Sequence, residues 1–157
     1  MSSARMEVDR IYTMLRRAYE GPAWHGPAVS EVLAGVSAEQ AQRRQGEAHT
    51  IIEIVRHITA WKYIVIRRVL GEPAREIPAD QDWPSGYAAA SKPPWEAALA
   101  DLARAQDEIQ ELLGSVSDER LNDPLANTPW TIYDLLHGVV QHDLYHAGQI
   151  ALLKKLP

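Results

Sequence analysis

Three histidines have the residue type and spacing of metal ligands. His142 and His146 lie four residues apart in the segment HDLYH, and His57 lies in an apolar segment earlier in the chain. Residues four apart lie one turn from each other on the same side of a helix, so these two imidazoles can converge on one point. The pattern predicts a metal site. The alternative is a set of core histidines that are hydrogen-bonded to protein carbonyl or hydroxyl groups.

The element that carries His57 is helix two, predicted from about Glu47 to Leu70. Its apolar residues recur at helical spacing and place His57 on the inner face. Gly71 and Pro73 end the pattern.

The other two histidines lie on helix four, near the end of the chain. Thr128 is the predicted N-cap and Pro129 the first helical residue. His137 lies about 140° around this helix from His142 and is predicted to point away from the ligands. The seam that faces the neighbouring helices comprises Leu135, Val139, His142, His146, Gln149 and Leu153.

Two more helices complete the predicted core. Helix one extends from Met6 to Tyr19 and helix three from Trp95 to about Val116, and a short helix lies around residues 29–36. Residues 71–94 contain five prolines and predict a long ordered loop that acts as a lid. We therefore predict an all-α fold, a single domain over residues 1–157 with a four-helix bundle, one short extra helix and a long loop between helices two and three.

Composition limits the functional classes. The chain of 157 residues has a net charge of -5 and no basic run, which argues against a nucleic-acid partner. No segment has the length and apolar character of a membrane span or a secretion signal, so we expect a cytoplasmic protein. Cys is absent, so any metal must be held by nitrogen or oxygen ligands.

Glu53 is a candidate catalytic residue. It precedes His57 by one helical turn, where it would act as general base or hold a metal ligand in place. The alternative is a solvated carboxylate that pairs with Arg43 or Arg56. His49 is expected at the start of helix two or at the rim of a pocket.

Four residues are candidates for a substrate pocket. Trp24 and His25 lie in a turn bounded by proline and glycine, and we expect this connector and the 71–94 loop to enclose the open side of the metal. Gln149 lies on the seam with the ligands, and Tyr145 could donate a hydrogen bond to a substrate. Asp143 is expected to orient an imidazole or cap a neighbouring element.

Three segments of the chain, GPAWHGP, IIEIVRHITAWK and HDLYHAGQIALLKK, resemble the DinB family, which includes YfiT-like metal-dependent enzymes. The resemblance implies a homodimeric four-helix-bundle protein that holds one divalent metal, nickel or zinc, through one histidine of the second helix and two of the fourth. These match His57, His142 and His146. Characterised relatives include transferases that use bacterial low-molecular-weight thiols and a mycothiol-dependent isomerase.

A site with three histidine ligands leaves a coordination position for water or substrate. Two reactions follow: hydrolysis by activated water, or attack by an external thiol on a small-molecule substrate. The resemblance favours a thiol-dependent S-transferase. The alternatives are a metal-dependent hydrolase and a non-enzymatic protein in which the metal stabilises the bundle.

Overall fold

Four long helices account for most of the structure. The computed structural model describes residues 5–85 and 94–157, and these contain no β-strand. The long helices are α1 (Met6–Glu20), α4 (Ile51–Val69), α6 (Pro94–Ser115) and α7 (Ile132–Leu153). Three short helices, α2 (Val29–Leu33), α3 (Ala38–Gln42) and α5 (Ala79–Asp82), and a 3-10 helix at Glu119–Asn122 lie between them. The prediction of an all-α fold is confirmed.

Helix α4 begins later than predicted because a capping box fixes its first turn. The Thr50 hydroxyl accepts a hydrogen bond from the Glu53 amide at 3.3 Å, and the Glu53 carboxylate accepts one from the Thr50 amide at 2.7 Å. These reciprocal bonds satisfy two backbone amides that the helix leaves unpaired. At the other end Gly71 has φ +104°, a conformation that favours glycine, and the helix stops there as predicted.

The predicted start of α7, with Thr128 as N-cap and Pro129 as first residue, is wrong. Thr131 is the N-cap, since its hydroxyl accepts a bond from the Asp134 amide at 3.3 Å and the Asp134 carboxylate accepts one from the Thr131 amide at 2.8 Å. Thr128 has no such residue three positions later, and its hydroxyl donates instead to the Leu125 carbonyl oxygen. The reciprocal capping box therefore decides where the helix begins.

The helices α4 and α6 run in the same direction, and α1 and α7 run against them. One core cluster joins the C-terminal halves of α4 and α6 to the start of α7, and a second joins their N-terminal halves to the end of α7. The connection between two parallel helices must cross the length of the bundle. The segment between α4 and α6 is therefore a crossover, and the bundle is not a simple up-down arrangement.

Buried polar side chains lie between the two hydrophobic clusters. On each of α4, α6 and α7 the two clusters leave a gap in the sequence, and polar residues fill it. These are Thr59, Lys62, Gln106 and Asp143, each at most 1% exposed. One of them, Asp143, directly follows His142, so the polar layer lies in the core next to the histidines.

The segment predicted as a lid contains α5, and its last part, residues 86–93, lies outside the described residues. None of the described helices combines the length and the apolar character needed to cross a membrane.

Candidate metal centre

The three predicted ligands converge between α4 and α7. The Nε2 atom of His142 lies 3.0 Å from that of His57 and 3.1 Å from that of His146. The three ligand atoms lie within 4.8 Å of one another. Two nitrogens that bind one tetrahedral zinc ion lie roughly 3.3 Å apart, so the rings have a separation suited to a shared ion.

Hydrogen bonds at the outer ring nitrogens direct lone pairs toward the centre. His57 Nδ1 donates to the carbonyl oxygen of Asp82 at 2.6 Å, and His146 Nδ1 donates to the side-chain oxygen of Gln149 at 2.6 Å. A neutral imidazole has one proton, so the Nε2 atoms of these two rings carry lone pairs. The Nε2 atom of His142 can donate to only one of them, which leaves a lone pair without a donor. A divalent cation would accept all three lone pairs, and the residues therefore fit a metal.

Burial keeps the three ligands neutral. It lowers the pKa of His57 below its ordinary value, although the Asp82 backbone opposes the shift. Burial, together with the neighbouring His146 and His57 rings, lowers the pKa of His142 to about 3. Burial also lowers the pKa of His146 to about 4, against the effect of the Gln149 hydrogen bond. The rings are thus in the form that binds metal at neutral pH.

An aromatic stack covers one side of the site. The Trp83 ring lies between two histidines, 3.9 Å from the His57 ring and 3.5 Å from the His49 ring, with interplanar angles of 9° and 5°. Trp83 directly follows α5, so this short helix holds the indole against a ligand. His49 lies just before the Thr50 cap, at the edge of the site. This agrees with its predicted position at the start of the helix or at the rim of a pocket.

A buried ion pair joins the two helices that carry the ligands. The Lys62 ammonium lies 2.5 Å from the Asp143 carboxylate, and both side chains are 0% exposed. Burial raises the pKa of Asp143, and Lys62 opposes this shift. Since Asp143 directly follows His142, the pair fixes α4 against α7 at the site. Lys62 was not predicted as a site residue, although its spacing from Ile58 and Val65 places it on the buried stripe.

The triad lies in a pocket of about 1050 Å³ between α4, α5, α7 and the segment before α7. Asp82 and Trp83 contribute to its wall from the 71–94 loop, as predicted. Much of the remaining wall is aromatic: Trp61, Trp130, Tyr133 and Tyr145. Such a concave and mainly apolar space with a few polar groups is typical of a small-molecule site.

The predicted pocket residues occupy different places. Tyr145 lines the pocket and is 66% exposed, so it lies at the rim. Gln149 accepts the hydrogen bond from His146 and so holds a ligand in orientation. Trp24 and His25 lie on the surface instead, because a bridge between Ala23 and Gly26 leaves them at the tip of a turn. The connector with Trp24 and His25 was expected to form part of the pocket wall. Residues from the segment 125–133 line the pocket instead.

The carboxylate of Glu53 is engaged at the start of α4. It accepts the hydrogen bond from the Thr50 amide and forms an ion pair with Arg44, in place of the expected Arg43 or Arg56. Partial burial acts to raise the pKa of Glu53, but the Thr50 and Arg44 hydrogen bonds hold it below its ordinary value. An ionised carboxylate that is already hydrogen-bonded is a poor proton acceptor, so the geometry favours the cap over the general base.

His137 does not belong to the converging ligands, in agreement with the sequence analysis. It nevertheless lines the same pocket, and its ring lies 4.3 Å from the Tyr133 ring. The pocket therefore extends farther around α7 than the ligand face alone.

Comparison with known proteins gives one family. The model of the DinB superfamily matches residues 23–150, a range that includes all three histidines. Neither the curated proteins nor the solved structures gave a match. Because the family match covers most of the chain, the chain belongs to the DinB superfamily.

Proposed function

We propose that this protein is a metal-dependent enzyme, a thiol-dependent S-transferase that acts on small molecules. The observation that carries the proposal is the convergence of three Nε2 atoms in the wall of a pocket. Three protein ligands leave a coordination position for a reactant, which is the arrangement of catalytic rather than closed structural sites.

His57, His142 and His146 would hold the ion, nickel or zinc. When bound there, the metal supplies a Lewis acid that lowers the pKa of a coordinated thiol or water. The chain keeps the ligands in position through Asp82 and Gln149, and Trp83 excludes water from one side of His57. The aromatic wall provides a surface for the apolar part of a substrate.

Thiol transfer is favoured over hydrolysis by the activities of the characterised relatives that the resemblance implies. The chain has no cysteine, so this reaction needs a sulfur nucleophile from a second molecule. The pocket volume of about 1050 Å³ lies at the upper end of small-molecule sites and has room for a thiol beside an acceptor.

Calorimetry with cysteine, glutathione, mycothiol and bacillithiol tests this proposal. We expect at least one thiol to bind the metal-loaded protein. None should bind after chelation, because the thiol sulfur would coordinate the metal that the chelator removes. His142→Ala should abolish thiol binding. His25→Ala is the matched control, since this histidine is exposed and lies away from the pocket lining.

Binding of the thiols to metal-free protein would contradict the role of the metal. A metal-dependent esterase or amidase activity without thiol binding would contradict the transferase and support a hydrolase. If the metal-loaded protein bound no thiol and catalysed neither reaction, the proposal of an enzyme would be contradicted and the metal would have only a structural role.

A further inference from the structure

The pocket extends from the triad along the groove between α4 and α7. The two helices are antiparallel, so residues that follow His57 on α4 face residues that precede His142 on α7. Beyond the triad the α4 wall continues to Arg68, and the α7 wall continues back to His137. The site is therefore longer than the metal alone requires.

Among the described residues that line this pocket, Arg68 is the only lysine or arginine. Its guanidinium carbon lies 5.7 Å from the centre of the Trp61 ring, which itself lies 5.7 Å from the His142 ring. The guanidinium carbon therefore lies no farther from the centre of the His142 ring than the sum of these two distances. The arginine and the metal site can contact the same small molecule.

The guanidinium has donors left for a ligand. No carboxylate of the described residues lies within 4.0 Å of Arg68, and its one hydrogen bond there is a 3.3 Å contact with the Arg75 carbonyl oxygen. The carboxylates in the pocket wall are engaged elsewhere, Asp82 with the Trp61 indole and Asp134 with Thr131. A guanidinium stacked on an aromatic face keeps its planar edge available for a carboxylate.

Gly138 on α7 provides space for a ligand. It lies one helical turn before His142 and lines the pocket. A Cβ atom added to Gly138 would meet no atom within 4 Å. The glycine therefore leaves open the space beside the triad.

We infer that this end of the pocket binds the carboxylate of a small organic acid through Arg68. The apolar part of the acid lies against Trp61, and its reactive end points to the triad, the last point resting on the proposed function. A single guanidinium matches a singly charged carboxylate better than a doubly charged phosphate. The site thus selects an elongated, monoanionic and partly aromatic substrate.

Matched pairs of ligands test the inference. Phenylacetate and its longer homologues up to 6-phenylhexanoate are compared with their primary amides by ligand-detected NMR, on metal-loaded and on chelated full-length protein. We expect one or more of the acids to bind on the order of tenfold more tightly than its amide, the ratio that a charge-assisted hydrogen bond provides. Arg68→Met should remove this ratio, and Arg68→Lys should restore part of it.

Two further variants make the result specific. Arg67→Met is the matched control, because Arg67 is an exposed neighbour that pairs with Glu72, and it should keep the ratio. Gly138→Leu should weaken acid and amide together by filling the pocket. Equal affinity of acids and amides, absence of binding by the whole panel, or an equal loss in Arg67→Met and Arg68→Met would overturn the inference.

Metal content of the same samples separates this inference from the proposed function. A preference for the acids in a protein that binds no metal would contradict the metal-dependent enzyme and leave the carboxylate site intact. A protein that binds metal and thiol but shows no preference would contradict the carboxylate site alone.

Discussion

Replacement of Lys62 by methionine is expected to destabilise the protein strongly. The variant leaves the Asp143 carboxylate 0% exposed and without its ammonium partner, which lies 2.5 Å away in the native protein. The second carboxylate oxygen of Asp143 has no hydrogen-bond partner among the described residues, so no nearby group replaces the lost contact. Removal of one member of a buried ion pair costs about 3–5 kcal/mol.

Urea unfolding followed by circular dichroism measures this loss as the change in the free energy of unfolding. Both proteins are measured with chelator, so that a difference in metal affinity does not contribute. In a chain of this size the same loss lowers the melting temperature by on the order of 10 °C.

The double variant Lys62→Met/Asp143→Leu distinguishes the effect of an unpaired buried charge from the effect of altered packing. It removes both charges and keeps similar volumes, so we expect it to recover most of the lost free energy. Arg67→Met breaks an exposed pair with Glu72 and should change stability by less than about 1 kcal/mol. The account of the buried pair would be refuted if Lys62→Met lost no more than Arg67→Met, or if the double variant were as unstable as the single one.

Two further predictions concern the metal-free protein. The pKa values of His142 and His146 are lowered to about 3 and about 4 from an ordinary 6.5, so the stability linked to them is fully present above about pH 6.5 and is lost as the pH falls toward 4. Urea unfolding of chelated protein from pH 7 to 4 should show this decline and His142→Gln should reduce it, whereas a flat profile would contradict the burial of neutral rings. Thr131→Ala should lower the free energy of unfolding by about 1 kcal/mol and Thr128→Ala by clearly less; the reverse order would restore the original placement of the cap.

The ligands could be predicted from the sequence because they depend on local geometry. His142 and His146 lie one turn apart, and His57 lies on the apolar face of its own helix, so helical periodicity alone brings the rings inward. Their convergence needs only that the two helices pack against each other. The same periodicity placed His137 off the ligand face but could not reveal that the pocket extends as far as this residue.

The buried pair could not be predicted in the same way. Lys62 and Asp143 are charged, and charged residues are almost never fully buried unless they are paired. Their burial depends on a partner 81 positions away in the sequence. The parallel course of α4 and α6 is also a tertiary property, since the long connection permits either direction.

Loop residues were the least predictable part of the site. Trp24 and His25 have the residue types of a pocket wall, but a local backbone bridge places them at an exposed turn. Trp83 also lies in a connection, and a four-residue helix orients it onto His57. Side chains in turns depend on a few backbone angles that composition does not determine.

Metal content per chain tests the central claim most directly. Protein purified without a histidine tag is reconstituted with nickel or zinc, dialysed and analysed by mass spectrometry of the elements, alongside His146→Ala and His25→Ala. We predict one divalent ion per chain for the native protein and for His25→Ala, and none for His146→Ala. Equal metal in the two variants, or no bound ion in the native protein, would contradict the assignment of the histidine triad as a metal centre.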